Sequence, residues 1–79
     1  MDRFEIVVKL SSIFQKIFAD NSLVLSDKMT STDVKGWDSL THMLLITEIE
    51  NVFSIKFKLK DLVKMHNVGE MINIISTKL

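Results

Sequence analysis

The sequence contains no cysteine and no proline, only two glycines, no tyrosine and a single tryptophan. Without cysteine the chain can form neither a disulfide nor a thiolate metal site, and this absence is typical of proteins from a reducing compartment. Without proline, no helix is broken by the loss of a backbone donor. We therefore expect the 79 residues to form one small domain made of helices.

An excess of charge of one sign is also missing, because ten Lys and Arg residues balance ten Asp and Glu residues. No overall field attracts the chain to nucleic acid or to an anionic membrane. No apolar run approaches the length that spans a bilayer, and the charged N-terminus lacks a signal-peptide pattern. We expect a cytoplasmic protein with no nucleic-acid partner and no membrane span.

The residues that are present form apolar stripes at helical spacing. In the first stripe Ile6, Leu10 and Phe14 recur at every fourth position, which indicates a helix with one face in a core. Residues 54–58 alternate instead, which predicts a short extended connection. The pattern predicts helices over residues 3–18, 39–53, 59–65 and 67–78, with Asn67 capping the last one and a long loop over residues 19–37.

The same spacing predicts which side chains face the core. They are Ile6, Val7, Leu10, Ile13, Phe14, Ile17 and Phe18 in the first helix; Leu45, Ile46, Ile49, Val52 and Phe53 in the second; Leu59, Leu62, Val63 and Met65 in the third; and Val68, Met71, Ile72, Ile75 and Leu79 in the fourth. Ile55 and Phe57 are expected to turn inward from the extended connection.

The loop over residues 19–37 is long for so small a domain, and loops of this length are usually functional or disordered. Apolar residues along it favour an ordered loop. Trp37 is large enough to fix the end of the loop against the second helix, and Gly36 is expected to adopt a backbone angle that a side chain would resist. The expected anchors are the run over residues 23–25, together with Met29, Val34 and Trp37.

Ser39 stands at the predicted start of the second helix. Several backbone N–H groups there have no partner inside the helix, and the helix dipole favours negative charge. On the ordinary interpretation, Asp38 or Ser39 only caps the helix. On the alternative interpretation, Ser39 is presented for modification, and a phosphate on its oxygen would lie against the helix N-terminus.

A group of large apolar residues lies beside Ser39. Leu40, Met43 and Leu44 fall on a different side of the second helix from its predicted core face. Some of these residues should therefore be exposed, which predicts a docking patch with Glu48 and Glu50 at its rim. The alternative is that the second helix is buried more widely and presents no patch.

Ser39 and His42 are three residues apart, close enough to touch on a helix, but they do not indicate a serine hydrolase. No G-x-S-x-G motif is present, no third group is placed to orient His42, and the chain has little room for a substrate pocket. His42 and His66 form no metal-ligand pattern, and the isolated Gly36 and Gly69 make no phosphate-binding loop. We expect neither an enzyme nor a metal site.

Three stretches carry a resemblance to a known family. Residues 32–40 read TDVKGWDSL before the second helix, residues 50–53 read ENVF at its end, and residues 68–70 read VGE at the start of the last helix. With this helix order and loop length, the motifs cover essentially the whole chain. In these features the chain resembles the acyl carrier protein family.

The resemblance implies a single carrier domain over residues 1–79, folded as a small all-α four-helix bundle with three longer helices, a short third helix and a long first loop. It implies that Ser39, flanked by Asp38 and Leu40, is esterified by 4′-phosphopantetheine, which a separate phosphopantetheinyl transferase donates from coenzyme A. The thiol of that group would carry acyl groups as thioesters between loading and transferring enzymes. The chain itself would be monomeric and non-catalytic.

The chain departs from the family's fatty-acid-synthesis members, which are strongly acidic and carry acids where this chain has Thr41 and Leu44. Its charges balance, and its basic cluster is interpreted as a solvated face, so partners that steer by a basic patch should attract it weakly. We therefore hypothesise a specialised carrier of acyl intermediates in a dedicated biosynthetic pathway. An aminoacyl or peptidyl carrier, or an unmodified interaction module of the same fold, are the alternatives. The basic cluster comprises Lys56, Lys58, Lys60 and Lys64.

Overall fold

The computed structural model describes residues 1–79 as an all-helical bundle. Three longer helices and one short helix follow in the predicted order, and a single 3₁₀ turn, Ser31–Asp33, lies in the first loop. The predicted fold class is confirmed. The helices are α1, Arg3–Ile17; α2, Ser39–Phe53; α3, Leu59–Leu62; and α4, Val68–Lys78.

Short polar side chains fix where α1 and α4 begin. Asp2 accepts a hydrogen bond from the Glu5 N–H at the start of α1, at 2.8 Å, and Asn67 accepts one from the Glu70 N–H at the start of α4, also at 2.8 Å. Each bond satisfies a donor that the helix itself leaves unpaired. The predicted cap at Asn67 is therefore confirmed.

The core is formed by one face of α1, which packs against both α2 and α4. Burying a Leu, Ile or Phe side chain of this kind stabilises a protein by about 1.5–3 kcal/mol relative to leaving it exposed. Twelve buried residues form the core cluster. They are Ile6, Leu10, Ile13, Phe14, Leu45, Ile49, Phe53, Ile55, Val68, Met71, Ile72 and Ile75.

The predictions of inward-facing residues were wrong at four positions. Leu59, Val63 and Leu79 are exposed, and Val52 is 43% exposed. The third helix ends at Leu62, not at residue 65. In this single turn only Asp61 and Leu62 are partly buried. Val52 falls at the margin of the α2 core face, and Leu79 follows the last turn of α4.

The first loop is ordered by contacts with α4 and with the core. The Val68 N–H donates to the Met29 carbonyl, and the Gly69 N–H donates to the Asp27 carbonyl, both at 2.9 Å. A Cβ at Gly69 would lie 3.0 Å from that carbonyl oxygen, so this close approach needs glycine. The expected anchors pack inward, except Val24 in the run over residues 23–25, which is exposed.

Gly36 closes the loop in the conformation that the sequence predicts. The Trp37 N–H donates to the Val34 carbonyl at 3.2 Å, and Gly36 at the third position of this turn has φ of +91°. A positive φ at that position is the signature of a type II turn, which favours glycine. A Cβ at Gly36 would meet only Phe18, at an ordinary 3.8 Å, so the backbone angle alone requires glycine.

Gly36→Ala is expected to lower the free energy of unfolding by about 1–2 kcal/mol, because an L side chain resists a positive φ. Urea unfolding followed by circular dichroism measures the change. Gly36→Asn is the matched control and should cost less, because Asn tolerates positive φ better than Ala does. Equal stability of the Ala variant and the wild type would contradict this account.

An ion pair ties the short α3 to the end of α4. The Lys78 ammonium lies 2.8 Å from the Asp61 carboxylate, and both side chains are mostly buried. Asp61 also accepts the Lys58 N–H at 2.8 Å. The Lys78 hydrogen bond, followed by the one from Lys58, holds the pKa of Asp61 below its ordinary value.

Because the pKa of Asp61 is lower in the folded protein than in the unfolded chain, its contribution to stability is present above the unfolded value, about 3.9. That contribution is lost as the pH falls through the folded value. In Asp61→Asn the free energy of unfolding should therefore fall less steeply between about pH 5 and pH 2 than in the wild type. Urea titrations at each pH measure the slope. Lys78→Gln removes the partner of the ion pair and should flatten the slope in the same way. An equally steep fall in Asp61→Asn would show that the ion pair does not contribute.

Candidate functional site

Asp38 is the residue that caps α2. Its carboxylate accepts the Thr41 N–H at 2.9 Å, and the Thr41 hydroxyl in turn accepts the Asp38 N–H at 2.8 Å. This reciprocal pair satisfies two donors at the helix start. Ser39, the first residue of α2, is exposed and takes no part in the cap. Its hydroxyl is therefore free at the mouth of the helix.

The same contacts bind the cap to the loop before it. The Thr41 hydroxyl donates to the Gly36 carbonyl at 2.8 Å. The Thr41 N–H, and after it the Thr41 hydroxyl, lowers the pKa of Asp38 because both stabilise its charged form. A carboxylate therefore stays ionised at the positive end of the helix dipole.

Trp37 fixes the end of the loop against two helices, as predicted from its size. Its ring meets Phe14 of α1 edge-on, with centroids 5.2 Å apart. It also lies edge to edge with His42 of α2, with ring centroids 6.0 Å apart and planes 16° apart. An edge-on aromatic pair such as that of Trp37 and Phe14 is worth about 0.5–1.5 kcal/mol beyond the area that it buries. These contacts hold the residues next to Ser39 in one position relative to the core.

His42 is oriented by Trp37, which the sequence analysis missed when it found no third group placed to do so. The Trp37 indole N–H donates to Nδ1 of His42 at 3.1 Å. Burial lowers the pKa of His42, which favours the neutral ring. The ring nitrogen that could act as a base is occupied by the indole. Ser39 and His42 therefore do not form the nucleophile and base of a hydrolase.

A cleft of about 550 Å³ opens beside Ser39. Ser39, His42 and Met43 line it from α2, while Met65 and His66 line it from the segment before α4. The sequence analysis placed Met65 inward, and nothing in the helical periodicity indicated that Met65 and His66 face Ser39. Contacts between residues so far apart in the chain cannot be predicted from local periodicity.

The apolar residues around Ser39 are exposed, as the patch interpretation expects. Leu40, Met43 and Leu44 are 72%, 53% and 49% exposed. The alternative of a widely buried α2 is therefore wrong. Contiguous exposed apolar surface of this kind often marks an interaction site.

The two carboxylates expected at the rim of this patch make contacts within the protein. Glu48 pairs with the Lys16 ammonium, and Glu50 accepts the Phe57 N–H at 2.8 Å. Both are half-buried. Glu50 thus orders the connection after α2, which the sequence analysis missed because the contact joins two segments across a turn.

Two further features concern the rest of the chain. No group of three His, Cys, Asp or Glu side chains is arranged to hold a metal ion. None of the helices is long and apolar enough to cross a membrane.

The structure is similar to the holo acyl carrier protein of Geobacter metallireducens, solved in solution by NMR. The two sequences are 39% identical, the match covers 91% of this chain and 83% of that chain, and the TM-score is 0.86. No protein-family model matches the chain, and no curated protein matches it. With this identity over nearly its whole length and the same helical architecture, the chain belongs to the acyl carrier protein family.

Proposed function

We propose that Ser39 is esterified by 4′-phosphopantetheine, which a phosphopantetheinyl transferase donates from coenzyme A. The observation that carries the proposal is the free hydroxyl of Ser39 at the start of α2, where Asp38 alone provides the cap. Asp38 and Leu40 flank the attachment point. The similar Geobacter protein is described as holo, that is, as carrying its prosthetic group.

The residues around Ser39 suit this group. The N-terminal end of α2 favours the negative charge of a phosphodiester. The cleft beside Ser39 is open and lined partly by Met43 and Met65, which offers apolar contact to an extended arm. When bound, the group supplies a terminal thiol that carries acyl groups as thioesters, a reactive sulfur that the cysteine-free chain does not contain.

On this proposal the chain is a carrier and not an enzyme. Its residues hold the prosthetic group and present it, and partner enzymes perform the chemistry. The indole contact that occupies Nδ1 of His42 supports this view, because it removes the base nearest to Ser39. We further propose that residues 1–79 act as one monomeric domain in the cytoplasm.

We propose that partner enzymes dock on the exposed apolar residues of α2, namely Leu40, Met43 and Leu44, with Glu48 and Glu50 at the rim. Transient partners need a small surface from which they dissociate quickly. Because Glu48 and Glu50 are held by contacts within the protein, apolar contact should contribute more than charge at this surface. This favours a dedicated set of partners for acyl intermediates, outside bulk fatty acid synthesis.

Co-expression with a broad-specificity phosphopantetheinyl transferase should add one phosphopantetheine to the wild-type chain and none to Ser39→Ala. Intact-mass spectrometry measures the addition. Ser31→Ala is the matched control, because Ser31 lines the same cleft but is not the proposed attachment point, and it should gain the same mass as the wild type. A wild-type protein that gains no mass from this transferase or from a cognate one would favour the unmodified interaction module.

A malonyl transferase of fatty acid synthesis should load the holo protein at least about tenfold more slowly than the main carrier of the same cell, because electrostatic steering is weak. Leu44→Glu should raise the rate, since it restores an acidic group on the exposed face of α2. Val24→Glu adds the same charge at another exposed apolar residue, in the first loop, and should change the rate less. Loading as fast as that of the main carrier would contradict the dedicated pathway. Loading by amino-acid-activating enzymes instead would assign an aminoacyl cargo.

A further inference from the structure

The hydrogen bond between Trp37 and His42 determines which nitrogen of the histidine carries a proton. An indole nitrogen only donates, so Nδ1 of His42, 3.1 Å from Nε1 of Trp37, must be the acceptor. A neutral imidazole then carries its single proton on Nε2. The burial that lowers the pKa of His42 keeps the ring in this neutral form around neutral pH.

The ring that carries this proton is held in place. The rings of Trp37 and His42 lie nearly in one plane, 16° apart, as an in-plane hydrogen bond requires, and Trp37 is itself fixed edge-on against Phe14 in the core. A hydrogen bond from another residue to one ring nitrogen fixes both the tautomer and the direction of an imidazole. The Nε2–H of His42 is thus a donor that the fold has oriented in advance.

The position of His42 puts this donor near Ser39. His42 lies three residues after Ser39 in α2, and side chains at that spacing share one side of a helix and lean towards its N-terminus. Both residues line the same cleft. No protein group accepts the Nε2–H of His42, and the structure contains no buried side-chain nitrogen without a partner, so Nε2 of this cleft-lining residue is exposed to solvent.

We propose that His42 binds the prosthetic group, its Nε2–H donating a hydrogen bond to the phosphodiester on Ser39, and that Trp37 is the positioning residue that sets the required tautomer. The inference rests on the proposed attachment at Ser39. A neutral donor of fixed direction would orient the first atoms of the arm along the cleft, because hydrogen bonds to a charged oxygen are stronger than neutral ones.

The proposal is tested by NMR on the apo and holo forms, after mass spectrometry has established which form is present. In the apo protein, long-range proton–nitrogen spectra of the imidazoles should show His42 in the Nε2–H tautomer. On modification the Nε2 and Nε2–H signals of His42 should shift, and exchange of that proton with water should slow. An unchanged His42 spectrum would overturn the proposal.

Phosphorus NMR of the holo protein gives the second readout. In His42→Asn an amide oxygen can still accept from Trp37, but the donor at the position of Nε2 is lost. The ³¹P signal should therefore move towards that of free phosphopantetheine. His42→Gln can place an amide N–H near the position of Nε2 and should restore part of the shift. Amide spectra of each variant establish that it is folded.

Two further variants separate the roles of the aromatic residues. Trp37→Phe keeps a ring but loses the indole N–H, so His42 should become a mixture of tautomers and the ³¹P signal should move partway. His66→Asn removes the other histidine of the cleft and should leave the ³¹P signal in place. The proposal would be overturned if the ³¹P signal moved in His66→Asn, or if it stayed in place in both His42 variants. If the chain accepted no prosthetic group, the proposed function itself would be contradicted, and mass spectrometry would reveal this before any NMR measurement.

Discussion

A helix begins with backbone N–H groups that need acceptors from outside the helix. In α2 the carboxylate of Asp38 accepts the N–H of Thr41. If the serine were the cap, its oxygen would be occupied by that N–H. Because aspartate takes this role one residue earlier, Ser39 keeps a free hydroxyl at the positive end of the helix. The proposed modification depends on this division of roles between two adjacent residues, one that starts the helix and one that remains reactive.

The cap alone would not present Ser39 in a fixed place, because it follows a long loop. Trp37 supplies the connection, since it packs on Phe14 of α1 and contacts His42 of α2. The hydrogen bonds of Val68 and Gly69 to the loop add a second attachment at α4. The loop is therefore held at its middle and at its C-terminal end by the elements that form the core. On the proposed function several enzymes would each recognise Ser39 from outside, and a rigidly held position suits that role.

Much of this architecture could be predicted from the sequence, because helical periodicity depends only on neighbours along the chain. The bounds of α2 and the exposure of Leu40 followed from it, while the cap at Asn67 and the turn at Gly36 followed from the residue types at those positions. Periodicity gives the direction of an apolar stripe but not its width. Val52 at the margin of α2 and Leu59 and Val63 on the single-turn α3 were therefore misplaced. The bond from Trp37 to His42 and the cleft shared with His66 were missed because they depend on how distant segments pack.

The charges of α2 bear on how partners would find this surface. Electrostatic steering raises association rates to about 10⁸–10⁹ M⁻¹s⁻¹, against about 10⁵–10⁶ M⁻¹s⁻¹ without it. Here Glu48 and Glu50 are engaged by Lys16 and by the backbone of Phe57, and Leu40, Met43 and Leu44 are the exposed apolar residues of α2 beside Ser39. Recognition would then rest on apolar shape and on slower encounters. If its partners are few and dedicated, as proposed, the carrier would tolerate slow encounters better than one that must serve every enzyme of a high-flux pathway, and its balanced charge would also keep it from competing for enzymes that select acidic carriers.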